Sequence, residues 1–157
     1  MKHALVCLSA LFLAACATDG RQIRPGVSDE AAVRQEMGAP REVHALPQGG
    51  QIWFYPTGLG RRTYRVELSP DGKVRNFDQV LDENHFDRIA KGITAEQLRL
   101  ELGPPFYVWH TNTEEVWEYK YDWGLNRPWT LYVGIADGRV TGQHRHQELN
   151  GPSGTKG

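Results

Sequence analysis

The chain has 157 residues, of which 39% are hydrophobic and 24% charged, and its formal net charge is −1. Lysine and arginine are interspersed with aspartate and glutamate, and there is no basic run, which excludes a nucleic-acid partner. A chain of this length can form one domain of ordinary size or two very small modules.

The first residues indicate export. Met1-Lys2-His3 makes a short basic start, and residues 4–15 are almost entirely apolar or small. An apolar stretch of about a dozen residues is too short to span a bilayer as a helix and is typical of a secretory signal peptide. The sequence therefore predicts a cleaved signal over residues 1–15.

Cys16 stands at the end of this signal. Leu13-Ala14-Ala15-Cys16 resembles the lipobox of bacterial lipoproteins, in which a diacylated cysteine becomes the mature N-terminus. The alternative is conventional cleavage with an unmodified Cys16, but the residues before it fit the Ala-x-Ala pattern poorly. Because the residues fit the lipobox better, we predict lipidation of Cys16. A diacyl group suffices for stable anchoring. Ala17 stands where lipoproteins retained at the inner membrane tend to have Asp, which favours the outer membrane.

The remaining chain divides into two polar ends and a repeated centre. Residues 16–24 are predicted to be a flexible tether and residues 150–157 a disordered tail, because both are polar and lack hydrophobic periodicity. Between them the same signals recur at a period of about 65 residues, which indicates a tandem duplication. We place the first module at residues 25–80 and the second at residues 81–149.

Each copy has the same four landmarks in the same order. They are a Gly two positions before Ser or Thr, a Gly with Pro after it, an aromatic cluster, and an Asp-Gly turn followed by Val. In the first copy they are Gly26-Val27-Ser28, Met37-Gly38-Ala39-Pro40, Trp53-Phe54-Tyr55 and Asp71-Gly72-Lys73-Val74; in the second, Gly92-Ile93-Thr94, Leu102-Gly103-Pro104-Pro105, Trp117-Glu118-Tyr119 and Asp137-Gly138-Arg139-Val140.

The landmarks predict a short helix and then strands in each copy. Ser28 and Thr94 are predicted N-caps, Gln97 completes a capping box with Thr94, and Gly38 and Gly103 permit the left-handed end of each helix. Alternating apolar residues follow, as is typical of strands. We therefore predict an α+β fold of two modules, each a short helix or helix pair followed by a three-stranded antiparallel sheet.

No pattern in the chain indicates catalysis or a cofactor. Neither a Ser-His-Asp nor a Cys-His arrangement is legible. Gly58-Leu59-Gly60 lacks the third glycine of a dinucleotide site and is more typical of a hairpin loop. His144 and His146 share one face of a predicted strand, but two imidazoles without a third ligand are more typical of a solvated strand end than of a metal site. We predict a protein that is not an enzyme and has no cofactor or metal.

An aromatic group in the second half is the main candidate for function. Its members are Phe106, Tyr107, Trp109, Trp117, Tyr119, Tyr121, Trp123, Trp129 and Tyr132. A sheet with one helix layer buries about half of such side chains, since alternation sends the others to the open face. Exposed Trp and Tyr are enriched at binding hot spots and stack on sugars. The candidate partner-binding residues are Trp109, Trp123, Trp129 and Tyr121, with core packing as the alternative for the group.

Taken together, these residues resemble the SmpA/OmlA (BamE-like) family of small outer-membrane lipoproteins. The resemblance is carried by the lipobox and by Lys91-Gly92-Ile93-Thr94-Ala95-Glu96-Gln97-Leu98, Leu102-Gly103-Pro104-Pro105, Trp117, Tyr119 and Asp137-Gly138-Arg139-Val140. It implies a helix-helix-sheet fold and a periplasm-facing, lipid-anchored location. It also implies a role in binding anionic lipid or envelope proteins, among them the β-barrel assembly machinery. The chain departs from the family pattern by having two modules.

The leading prediction is a non-catalytic outer-membrane lipoprotein that binds envelope proteins and supports outer-membrane protein assembly or envelope integrity. Two alternatives remain open. One is a periplasmic module that docks on the glycan of peptidoglycan through its aromatic face. The other is an inhibitor of a periplasmic enzyme, because a tandem of this fold also resembles the secreted β-lactamase inhibitor proteins.

Overall fold

The computed structural model describes residues 20–124 and 127–148. The first module contains α1 (Glu30–Met37), β1 (Glu42–Ala45), β2 (Gln51–Thr57), β3 (Arg62–Leu68) and β4 (Val74–Gln79). The second contains α2 (Glu83–Phe86), α3 (Ala95–Leu102), β5 (Tyr107–His110), β6 (Glu115–Trp123), β7 (Arg127–Ala136) and β8 (Arg139–Gln147). The predicted signal peptide, Cys16 and the predicted tail from residue 150 lie outside the described residues. Within those residues, no helix has the length and apolar character needed to cross a membrane.

The α+β class and the division into two modules are confirmed, but the predicted number of strands is wrong. Each module has a four-stranded antiparallel sheet, in the orders β1-β2-β3-β4 and β5-β6-β7-β8. The strand that the sequence pattern missed is the first of each sheet, β1 and β5, and each has only four residues. Alternation over so few positions gives almost no periodic signal.

The repeated landmarks correspond to a hydrogen-bonded junction between the start of the helix and the Asp-Gly turn, which occurs once in each module. In the first module, Glu30 N–H donates to the Gly72 carbonyl at 3.1 Å and Val74 N–H to the Ser28 carbonyl at 2.9 Å. In the second, Ala95 N–H donates to Gly138 and Val140 N–H to Ile93, each at 2.9 Å. The Asp-Gly turn of each sheet therefore fixes the start of the helix of its own module.

The helix caps are confirmed at Thr94 and displaced by one residue in the first module. Thr94 and Gln97 form the predicted capping box. In the first helix the carboxylate of Asp29, and not the hydroxyl of Ser28, accepts from Ala32 N–H, at 3.1 Å. Ser28 instead accepts from Arg24 N–H at 2.9 Å. The extra residue in the first copy moves the cap, since both helices begin at the same place relative to the Asp-Gly turn.

The two modules have separate cores. The first is formed around Val33, Trp53, Val66 and Leu68, and the second around Phe86, Leu98, Tyr119 and Leu131, together with their neighbours. Ile23 is buried in the first core. The prediction of a flexible tether is therefore wrong for the described residues 20–24, because Ile23 packs under the sheet and orders that segment.

An equivalent tyrosine locks the end of each helix. The C-caps Gly38 and Gly103 have φ values of 79° and 77°, a region that favours glycine. Their carbonyls accept from the hydroxyls of Tyr55 and Tyr119 at 3.3 and 3.2 Å. Burial raises the pKa of Tyr55 to about 12, and burial raises the pKa of Tyr119 still further. Both phenols are therefore neutral donors at physiological pH.

Tyr119→Phe is expected to lower the free energy of unfolding by about 1–2 kcal/mol, because it leaves the buried Gly103 carbonyl without a partner. Tyr55→Phe is the matched control. Its hydrogen bond is longer and Gly38 is only half-buried, so we expect a loss of about 0.5 kcal/mol. Urea unfolding of both variants measures the difference, and equal losses would contradict the role assigned to burial.

Candidate functional site: the aromatic edge of the second sheet

The two modules pack through one face of the first sheet. In β2, Trp53 and Tyr55 point into the core with α1, so Ile52 and Phe54 point to the opposite face, here called the outer face. Ile52 and Phe54 are nevertheless buried. Phe54 lies against Gly103, at the end of α3. The outer face of the first sheet is therefore a protein–protein interface within the chain.

Polar contacts reinforce this interface at its two ends. Glu42, on β1, forms an ion pair with Arg99 of α3, in which Arg99 Nε lies 3.0 Å from Glu42 Oε2. At the other end Arg61 pairs with Asp122 at 3.5 Å and with Glu148 at 3.0 Å. These charges are between one-fifth and just over one-third exposed. Each pair contributes up to about 1 kcal/mol.

The Glu42–Arg99 pair makes the packing of the modules sensitive to acid. Burial alone raises the pKa of Glu42, but hydrogen bonds from Arg99 and His44 outweigh it and lower the pKa below its ordinary value of 4.5. A depressed pKa in the folded state gives stability that is present above the unfolded pKa and is lost as pH falls through the folded one.

Glu42→Gln is therefore expected to cost about 1 kcal/mol of unfolding free energy at pH 7. The difference from the parent should shrink toward zero below the folded pKa of Glu42, where the carboxyl group is protonated in both states of the parent. Chemical unfolding at pH 7 and pH 3 measures it, with Arg99→Gln as the reciprocal variant. A difference that grows on acidification would contradict this assignment.

The corresponding face of the second sheet is exposed along β5. Register places Glu42 of β1 opposite Phe54 and Tyr107 of β5 opposite Glu118, so Tyr107 and Trp109 occupy the positions that Glu42 and His44 hold in the first module. Tyr107 is 59% exposed and Trp109 37%. Phe106, just before the strand, is also exposed. We call Phe106, Tyr107 and Trp109 the aromatic stripe.

Charged neighbours hold the stripe in place. The indole N–H of Trp109 donates to Glu118 Oε1 at 2.7 Å. The ammonium group of Lys120 lies 4.3 Å from the ring centroid of Phe106, within the range of a cation–π interaction. Fixed rotamers lower the entropy that a partner must restrain on binding. Two of the three exposed rings of the stripe, Phe106 and Trp109, are therefore already held in place.

The edge of β5 beside the stripe is unpaired within the described chain, because β5 is the first strand in the order of its sheet. Thr111 N–H donates to the Glu114 carbonyl at 2.8 Å on the β6 side. By the alternation of antiparallel strands, the backbone N–H and C=O groups of Val108 and His110 point away from β6. An added strand could pair with them.

The sequence-predicted candidates are divided between the two faces of this sheet. Trp109 belongs to the stripe. Trp123, 45% exposed, and the half-buried Trp129 lie on the opposite, helix-facing side, with ring centroids 5.6 Å apart. The assignment of Tyr121 to a binding surface is wrong, because its ring is buried and packs edge-on against Phe86 at 4.8 Å.

Sequence reasoning did not single out Phe106 and Tyr107 from the other aromatics. The signal that could have done so is Val108, which packs against the second core. An inward Val108 places its neighbours Tyr107 and Trp109 on the outer face.

Among residues 20–124 and 127–148, no three or more His, Cys, Asp or Glu side chains lie close enough together to hold a metal ion. His144 stacks on Tyr132 with ring centroids 4.9 Å apart. This contact gives His144 a packing role on the sheet surface.

No protein-family model matches the chain, and no curated protein matches it. Among solved structures, the chain is similar to the crystal structure of a DUF4309 family protein (YjgB) from Bacillus subtilis. The sequence identity is 19%, the match covers 78% of this chain and 80% of that chain, and the TM-score is 0.32. At this TM-score the similarity assigns neither a family nor a function.

Proposed function

We propose that this protein is a non-catalytic lipoprotein of the outer membrane that binds envelope proteins through the aromatic stripe of its second module. The anchor is the lipid on Cys16, which the lipobox-like Leu13-Ala14-Ala15-Cys16 supports. The proposed role is in outer-membrane protein assembly or envelope integrity, with the β-barrel assembly machinery among the candidate partners.

The observation that carries the proposal is the contrast between the two modules. At equivalent positions of the two sheets, the first module has Glu42, which pairs with Arg99 of the second module, and His44, whereas the second module exposes Tyr107 and Trp109. A large exposed aromatic next to a free strand edge is the type of residue that dominates binding free energy at protein interfaces. The partner is therefore expected to cover the stripe.

The test compares the proteins that co-purify with three forms of the tagged, lipidated chain from membranes in mild detergent. The forms are the parent, Tyr107→Ala/Trp109→Ala and Trp123→Ala. Hot-spot side chains contribute about 2 kcal/mol each, so the double variant should lose recovery of its envelope partners by more than about tenfold. Trp123→Ala is the matched control, since it removes an exposed Trp from the other face. Undiminished recovery with the double variant would exclude the stripe as the binding surface.

The anchor is tested separately by the mass of the mature N-terminus from fractionated cells. We expect an acylated Cys16 in the outer-membrane fraction, and we expect Cys16→Ala to move the protein to the soluble fraction. An unlipidated, soluble parent would contradict the membrane part of the proposal.

Glycan binding is the second candidate, and the arrangement of Trp123 and Trp129 favours it. Two tilted indoles 5.6 Å apart, one of them nearly half exposed, offer a surface on which sugar rings stack. Sedimentation with purified peptidoglycan separates the two candidates. Loss of sedimentation with Trp123→Ala but not with Tyr107→Ala/Trp109→Ala would support glycan binding, and no sedimentation of the parent would exclude it.

A further inference from the structure

A cleft of about 310 Å³ lies between the two modules, where β5 begins. Its walls are formed by the turn 58–60 and by Pro104, Pro105 and Phe106. Tyr119 contributes to the cleft, but its hydroxyl is already bonded to Gly103. The volume is at the lower end of ligand pockets, which range over roughly 300–1,000 Å³. The cleft therefore fits one side chain or a similarly small group.

The rim of the cleft is apolar and includes a residue in an unfavourable backbone conformation. Leu59 is 89% exposed and adopts a left-handed backbone conformation, with φ 59°. Such a conformation is unfavourable for a branched apolar residue. The ring of Phe106, which belongs to the second module, packs against Gly60 in the turn that contains Leu59. An apolar side chain entering the cleft would cover both Leu59 and Phe106.

Arg41 lines the cleft and is the positively charged residue there. Its backbone N–H donates to the Phe54 carbonyl at 2.9 Å, but within the described chain its exposed guanidinium has no hydrogen bond or ion pair. Arg61, the other arginine nearby in sequence, is neutralised by Asp122 and Glu148. The hydroxyl oxygen of Thr57, a residue of the cleft wall, is buried and has no hydrogen-bond partner among the described residues. The cleft therefore suits an apolar group that carries an anion.

The direction of β5 indicates how such a group would arrive. The strand starts at Tyr107, directly after the cleft residue Phe106, and runs away from the cleft to His110. A segment that pairs antiparallel with β5 runs the opposite way, so its C-terminus reaches the cleft. A terminal carboxylate is the anion that every polypeptide carries at that end, and a guanidinium binds carboxylates in a fixed, two-pronged geometry.

We propose that the partner of the aromatic stripe is the C-terminal segment of an extended polypeptide. It pairs antiparallel with the free edge of β5, places its last side chain in the cleft against Leu59 and Phe106, and places its terminal carboxylate on Arg41. This inference rests on the proposed function, since it specifies the chemistry of the protein partner. Backbone pairing gives affinity, and the cleft and Arg41 select a chain end.

The test uses fluorescence anisotropy of labelled hexapeptides with the full lipidated chain in detergent. The probes are Thr-Val-Thr-Val-Thr-Phe with a free C-terminal carboxylate and the same peptide as its C-terminal amide. We expect the acid to bind at least about tenfold more tightly, because the amide cannot form the charge-assisted pair. Arg41→Gln should weaken binding of the acid peptide by about the same factor and leave binding of the amide peptide unchanged. Arg24→Gln, which removes an exposed charge elsewhere, is the matched control and should change neither.

Pairing with the edge is tested by Val108→Pro, which removes an N–H that points away from β6. Both peptides should then bind more weakly, while N-acetylphenylalanine, too short to pair, should bind as it does to the parent. Equal affinity of acid and amide for the parent, or equal effects of Arg41→Gln and Arg24→Gln, would overturn the proposal. N-acetylphenylalanine binding as tightly as the hexapeptide acid would also overturn it, because the site would then be one for small carboxylates. If the peptides fail while co-purification still depends on Tyr107 and Trp109, the proposed function stands without this inference.

Discussion

Gly103→Ala is expected to lower the free energy of unfolding by about 3 kcal/mol or more. Two effects add at this position. The backbone has φ 77° and ψ −164°, a region that is essentially restricted to glycine. A Cβ there would also lie 2.7 Å from Cδ1 of Phe54 and 3.0 Å from Cγ2 of Thr63, both in the other module. The substitution therefore strains the helix end and pushes the modules apart.

Gly38→Ala is the internal control for this prediction. Gly38 has nearly the same backbone, φ 79° and ψ −155°, but no atom of the described residues lies within 4 Å of an added Cβ. It should cost only the conformational strain, about 1–2 kcal/mol. Urea unfolding of the two variants gives the contribution of module packing as their difference. Equal losses would show that the modules do not press on each other at Gly103.

Phe54→Ala is expected to cost about 3–5 kcal/mol, the range for removing a fully buried aromatic ring. Phe54 has no exposed surface, yet it belongs to neither module's own core. Its burial comes from the junction with the second module, so the substitution should destabilise both modules. We expect the variant to unfold with a lower midpoint when followed by circular dichroism. A loss below about 1 kcal/mol would contradict the close packing at this junction.

A double-mutant cycle links the two substitutions. When Phe54→Ala has removed the ring, an added methyl at Gly103 meets mainly Thr63, so Gly103→Ala should cost about as much as Gly38→Ala does. The sum of the two single losses in unfolding free energy should therefore exceed the loss measured for the double variant. Additive losses would mean that the ring and the glycine act independently.

The comparison of the two modules also shows how one fold position can be filled in two ways. In the second module, Phe86 of α2 packs in the core and Gln143 of β8 donates to the carbonyls of Phe86 and Ile89. In the first, Phe77 of β4 takes the place of Gln143, and its ring lies against Gly20. The first module therefore combines the large Phe77 side chain on the sheet with Gly20 beneath it, whereas the second combines the polar Gln143 side chain with Phe86 beneath it. The volume stays filled, as close packing requires.

The sequence by itself determined the duplication, the capping box of α3, the glycine at the end of each helix and the antiparallel pairing after it. These are local properties: a capping box at Thr94, a glycine at each helix end and an Asp-Gly turn act through residues that are close in the chain. The cleaved signal and the lipid on Cys16 are likewise read from a short contiguous segment, and they stay predictions.

Only the tertiary structure decided which aromatic residues are exposed. Alternation correctly separated the two faces of each strand, but it cannot tell whether a face is covered, because the cover comes from residues far away in the chain. Phe54 is buried because the end of α3 packs on it, whereas Tyr107, on the corresponding face, stays 59% exposed within the part of the chain that the structure describes. Tyr121 is buried because α2 brings Phe86 over it. The candidate site is thus defined by the packing of the modules, which is long-range and leaves no periodic signal in the sequence.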